Sequence, residues 1–171
     1  MNEQIKGTAN CSECGAQATI ALEDYPFQES GLSNVVLRGI EVTRCSKCGN
    51  VEVTIPRLEK ILTALAIAIV KQPYPLKGEE VRYLRKHLGM SQVKFALLLN
   101  IDKTNISKWE NGETKIGPQS DRLIRLVVTA LGGGMKEEIA NVVETFKAME
   151  DHRPSNPKVD MDAENLQYQY A

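Results

Sequence analysis

Histidine is nearly missing from this chain: His87 and His152 are the only two in 171 residues. Neither lies near a nucleophile or a second candidate ligand, which argues against histidine-based catalysis and against a His-rich metal centre. His87 follows Lys86 at a helix end, where the helix dipole favours a cation without any catalytic role. Long apolar runs are missing too. The longest, Ile61 to Val70, is broken only by Thr63; a bilayer span needs about 20 apolar residues, so this stretch reads as a buried helix. The opening Met1-Asn2-Glu3-Gln4 has neither a basic n-region nor an apolar core, so no secretory signal is expected. A composition of 42% hydrophobic and 25% charged residues is that of an ordinary soluble chain, enough for one domain or two small ones.

Cysteine is scarce but ordered. All four occur as Cys11-Ser-Glu-Cys14-Gly15 and Cys45-Ser-Lys-Cys48-Gly49. Two residues between thiolates let both sulfurs reach one ion at about 2.3 Å. The following glycine adopts a backbone conformation that turns amide N–H groups toward sulfur. Two such knuckles predict a closed Cys₄ site at Cys11, Cys14, Cys45 and Cys48, holding one structural zinc per chain. Iron in a rubredoxin-like site is the alternative metal; disulfides, a redox C-x-x-C pair or unrelated buried thiols are the metal-free alternatives. Free cysteines used as ligands fit a reducing cytoplasm.

Charge is unevenly spread. Residues 1–55 carry four basic and seven acidic side chains, residues 76–131 ten and six, and residues 132–171 four and eight. An acidic metal module therefore precedes a basic middle and an acidic tail, a division that suits different partners for different segments.

Periodicity predicts an α+β chain. Ala18, Ile20 and Leu22 alternate with polar neighbours, Val35 to Arg44 is β-branched and broken by a bend or bulge at Gly39, and Val51, Val53 and Ile55 alternate again. Residues 1–55 thus form a small metal-clamped β module. Residues 56–75 form a linker helix from Pro56, ended by Pro73-Tyr74-Pro75. Its broad apolar face predicts core packing, with a dimer contact as the alternative. Helices follow at Gly78–Leu88, Gln92–Leu99, Lys103–Asn111 and from about Gln119 to Leu131, making 76–131 an all-α domain. A last amphipathic helix occupies 132–153. Residues 154–171 read as a flexible tail, although Leu166, Tyr168 and Tyr170 alternate as a strand would, which allows strand addition to a partner.

Ser91 and Asp102 are placed to N-cap two successive helices. Ala96 is small where those helices cross, and Ile106 faces inward. The rest of the second helix presents Lys103, Thr104, Asn105, Ser107 and Lys108, polar and free of carboxylates. Such a face fits a major groove, where amides and hydroxyls meet base edges and lysines meet guanine acceptors or phosphates. An ordinary helical hairpin with a solvated face is the bland alternative.

These residues carry a resemblance. Segment 77–131 is similar to the Cro/lambda-repressor-like (XRE) helix-turn-helix domain, and Ile106-Ser107-Lys108-Trp109-Glu110-Asn111-Gly112 is close to the usual Ile-Ser-Arg-Trp-Glu-Asn-Gly. The resemblance implies base contacts from Lys103, Thr104 and Lys108, and phosphate contacts from Gln92, Asn111 and Lys115; Trp109 reads as a core residue, with a stacking platform as the alternative. Paired Cys-x-x-Cys-Gly knuckles ahead of this domain resemble the MqsA family of antitoxins with a YgiT-type zinc finger, over roughly residues 8–131. That resemblance implies a toxin-binding zinc module, an mRNA-cleaving ribonuclease as toxin, and a homodimer repressing its own operon at a palindromic operator. Where that family reads DNA with asparagine and arginine, this chain has Thr104 and Lys108, so operator sequence does not transfer; Asn105 lies one place later. The expected function is a type II antitoxin and autorepressor, and not an enzyme. A stand-alone zinc-stabilised regulator is the alternative, with redox sensing as a sub-case; a small enzyme or rubredoxin-like electron carrier is the third class.

Overall fold

The computed structural model describes residues 4–149 and 157–170; His152 lies outside them. The chain runs β1 (Gln4–Asn10), β2 (Gln17–Pro26), a 3-10 turn (Gln28–Ser30), β3 (Val35–Arg44), β4 (Val51–Thr54) and α1 (Leu58–Lys71). It continues through α2 (Gly78–His87), α3 (Gln92–Leu99), α4 (Lys103–Glu110) and α5 (Pro118–Leu131). A 3-10 turn (Lys136–Glu138), α6 (Ile139–Ala148), β5 (Val159–Asp162) and β6 (Tyr168–Tyr170) follow. The architecture is α+β, as expected. Two compact units divide it. The first takes the described residues of Met1–Phe27, Asn34–Ile61 and Lys158–Ala171; the second takes those of Gln28–Ser33 and Leu62–Pro157. The division falls inside α1 and not at Pro73-Tyr74-Pro75.

The first unit is a six-stranded sheet in the order β1-β2-β3-β5-β6, with β4 also paired to β3. Strand β3 is long enough to serve two partners on one side: Glu41–Arg44 pair antiparallel with β4, and Val35–Arg38 pair parallel with β5. On its other side, Glu23 pairs with Ile40 and Tyr25 with Leu37, so Asp24 alone opposes Arg38 and Gly39. This is a bulge, and Gly39 takes φ 66° there. The extra residue reverses the alternation of β3. Val35 and Leu37 are buried before it, Ile40 and Val42 after it, so both halves keep their apolar side chains on one face.

The expected flexible tail is corrected for residues 157–170. Val159, Met161 and Ala163 are buried, and β5 adds to the chain's own sheet. Arg38 donates to Asp160 at 2.7 Å and to Asp24 at 2.5 Å. Arg57 donates to the carbonyls of Ala163 and Glu164, and the Asp162 carboxylate accepts from the N–H groups of Glu164 and Asn165. Two buried apolar residues in a four-residue strand are too short a pattern to stand out; the pairing edge of β3 supplies the rest. Strand β1 has no such signal either: none of its residues is buried, and its one large apolar side chain, Ile5, is exposed.

In α1, Ile61, Leu65, Ala66, Ala68, Ile69 and Val70 are all buried within the monomer. Most of the apolar face is core, while Leu58 at its start is exposed. The carbonyl end of α1 is held by one side chain. Arg125, fully buried, donates to the carbonyls of Val70, Gln72 and Tyr74 at 3.0, 2.6 and 2.6 Å. Asp121 pairs with Arg125 at 2.6 Å and accepts from the Leu76 N–H at 2.6 Å. A buried charge pair needs this saturation of its remaining donors to offset desolvation.

Candidate metal centre and nucleic-acid interface

The β1–β2 and β3–β4 turns are built alike. Gly15 N–H donates to the Cys11 carbonyl and Gly49 N–H to the Cys45 carbonyl, each at 2.9 Å. Cys11 N–H reaches the Ala16 carbonyl at 2.8 Å, and Cys45 N–H reaches that of Asn50 at 2.9 Å. Gly15 and Gly49 sit at φ 69° and 76°, where a side chain is strained. Pairing of β2 with β3 brings the two turns together. All four sulfurs lie within 4.8 Å of one another; Cys11–Cys48 and Cys14–Cys45 are each 3.6 Å apart. A disulfide requires about 2.05 Å, and the four cysteines are free. A tetrahedral ion with bonds of about 2.3 Å places its sulfurs roughly 3.8 Å apart, so the cluster has the dimensions and the soft donors of a closed metal site.

Its electrostatics say the same. The Cys45 thiol is lowered to about 6, mainly by the Cys48 backbone N–H, with the Lys47 N–H adding to it after burial opposes. Cys11 is lowered by the matching N–H groups of Cys14 and Glu13. Cys48 has the Asn50 N–H in favour of its thiolate, yet the sulfur of Cys14, burial, and then Cys45 and Cys11 push it up to about 12. Cys14 also rises, the Ala16 N–H being outweighed by burial and by Cys45 and Cys11. Backbone dipoles can ionise part of the cluster; a cation among the sulfurs is needed to ionise all of it.

In the second unit the helix-turn-helix is fastened by caps. The Ser91 hydroxyl accepts from the Lys94 N–H at 3.3 Å, and the Asp102 carboxylate from the Thr104 N–H at 2.7 Å. The Thr104 hydroxyl and N–H together hold Asp102 below its usual carboxylate value. Asn100 closes α3 in the left-handed region, φ 53°, a conformation that asparagine tolerates. Phe95, Ala96, Leu99, Ile106 and Trp109 are buried, leaving Lys103, Thr104, Asn105 and Lys108 exposed on α4 and Ser107 half-buried. Thr104, Ser107, Lys108 and Asn111 follow at helical spacing and share the outward face. Asn105 stands about 100° around the axis from Thr104. Lys115 is exposed in the loop between α4 and α5.

Residues 81–127 match a helix-turn-helix family model. The matched segment spans α3, α4 and the turn between them and is of the XRE type. Domains of this family typically bind DNA and catalyse nothing. No curated protein and no solved structure matches the chain. Among the described residues, no helix is long and apolar enough to cross a membrane.

Two expected phosphate contacts have partners within the fold. Gln92 is half-buried and its Nε2 donates to Glu110 at 3.0 Å. Asn111 accepts from Arg82 at 3.2 Å. Both serve a hub that the sequence reading missed. Glu110, buried at the end of α4, accepts from Arg85 Nε and Nη2 at 2.6 and 3.0 Å, and Arg82 lies 3.6 Å away. One carboxylate thus ties the recognition helix to α2 and α3. Glycine at position 78 is required for the same packing: a Cβ there would lie 1.9 Å from the Trp109 carbonyl oxygen. His87 is explained differently from the sequence reading. Its ring stacks on Tyr83, centroids 6.4 Å apart, and burial lowers its pKa, opposite to the dipole effect.

Proposed function

We propose that this protein is a zinc-stabilised antitoxin that represses its own operon. The helix-turn-helix match supports the coarser statement, a DNA-binding transcriptional regulator. The finer reading rests on one conjunction: a Cys₄ cluster on a β-sheet, followed in the same chain by an XRE-type domain. A homodimer would place two copies of α4 in successive major grooves of a palindrome, half-sites about one helical turn apart. Lys103, Thr104, Asn105, Ser107 and Lys108 would read bases or phosphates; Gln92, Asn111 and Lys115 would hold the backbone. Zinc at Cys11, Cys14, Cys45 and Cys48 would be structural. The acidic character of residues 1–55 suits a basic, RNA-cleaving toxin through charge complementarity.

Co-expression with the product of the neighbouring gene tests the antitoxin half. The reading requires that product to be toxic alone, harmless with this chain, and copurified with it. A non-toxic or unbound product leaves the stand-alone regulator. Selection of bound sequences from a random duplex pool tests the DNA half, which fails if nothing is enriched.

A further inference from the structure

The second unit contains a cleft of about 810 Å³ that the DNA-facing residues do not explain. It opens between the segment entering α2, the inner side of α4, and the loop joining α4 to α5. Trp109, Ile116 and Pro118 give it apolar walls, while Lys77, Lys115 and Arg122 place cationic side chains on its lining. Lys115 and Arg122 take part in no ion pair among the described residues, and the Arg122 guanidinium lies 5.8 Å from the Phe146 ring centroid, an arrangement that orients it without neutralising it. Of the two lining acids, Asp121 is committed to Arg125, and Glu113 accepts from Asn111. Volume and character fall in the range of small-molecule sites, mostly apolar with a few convergent polar groups.

We propose that this cleft binds a small organic anion with an apolar body and that occupancy weakens DNA binding. The inference rests on the DNA-binding reading for its second half only. The coupling is local. The loop that forms one wall also carries Lys115, assigned above to the phosphate backbone, and Trp109 belongs to α4 itself. An anion in the cleft draws the Lys115 ammonium inward and competes with phosphate for it. A charge-assisted contact of this kind governs about a tenfold change in affinity.

The probe is 1-anilinonaphthalene-8-sulfonate, an apolar anionic dye, titrated into the full-length protein. Trp109 is the only tryptophan, so energy transfer from it reports dye bound near this unit, and the response to substitution of Arg122 places the dye in the cleft. One saturable site with transfer is expected. Arg122→Gln should weaken it about tenfold, whereas Lys136→Gln, an exposed cation outside the lining, should not. Equal affinity in both variants, or dye binding without transfer, overturns the site. Saturating dye should also reduce affinity for a random-sequence duplex; unchanged affinity overturns the coupling while leaving the site. A protein that binds the dye but no duplex at all defeats the DNA-binding reading instead.

Discussion

Glu110 shows how one side chain determines whether the DNA reader holds its shape. Its carboxylate is desolvated, and that alone would raise its pKa; the hydrogen bonds from Arg85 and Gln92 and the nearby guanidinium charges more than reverse this, so it lies below its ordinary 4.5. A folded value below the unfolded one means that the stabilisation is present above about pH 4.5 and is lost as pH falls through the lowered value. Acid titration followed by Trp109 fluorescence should show the helical unit loosening only below that point in the wild type. Glu110→Ala strands Arg85 and should cost about 3–5 kcal/mol. Chemical denaturation measures it, and a loss under 1 kcal/mol would deny the hub. Gly78→Ala should destabilise by at least about 1–3 kcal/mol through forced overpacking against the α4 backbone. An unchanged midpoint would show that α2 and α4 do not approach this closely. Neither residue was singled out from the sequence, because glutamate near a helix end and glycine at a helix start both have ordinary local explanations.

The recognition helix was far more legible. Its caps, its buried Ile106 and Trp109 and its polar face all follow from spacing within about twenty residues, where one helical period and two turn signals suffice. The same locality gives its tests. Lys108→Ala should weaken binding to a selected operator and relax its specificity by about 1–3 kcal/mol; Lys115→Ala should weaken all duplexes alike and shallow the salt dependence. Salt titrations on operator and random duplexes separate the two, and identical behaviour of both variants would remove α4 from the role of reader. Gln92 is the less straightforward member of the set, since one amide N–H is already given to Glu110 and only its oxygen and second N–H are left for a phosphate.

The β unit depends on two closures that act at opposite ends of β3. One is the sulfur cluster. A metal ion held by these sulfurs would supply much of the folding free energy of so small a module, so its removal from reduced protein by a chelator should unfold the sheet while the helices persist. Amide NMR resolves the two units, and an intact sheet in metal-free protein would make the ion incidental. The other closure is β5, which covers the half of β3 that β4 leaves open. Met161→Ala should cost about 2–5 kcal/mol in denaturation of this unit; no change would restore the reading of a loose tail.

Composition and spacing were enough to specify the two knuckles, the helix order and the fold class. Each rests on contacts between near neighbours, and such contacts leave a period or a motif in the chain. The return of residues 158–170 to β3, the saturation of Arg125 by carbonyls of the α1 end, and the convergence of Arg82, Arg85 and Gln92 on Glu110 left no such trace. Their energies come from partners remote in sequence, and burial turns an unremarkable arginine or a four-residue strand into a structural necessity only once the chain has folded around it.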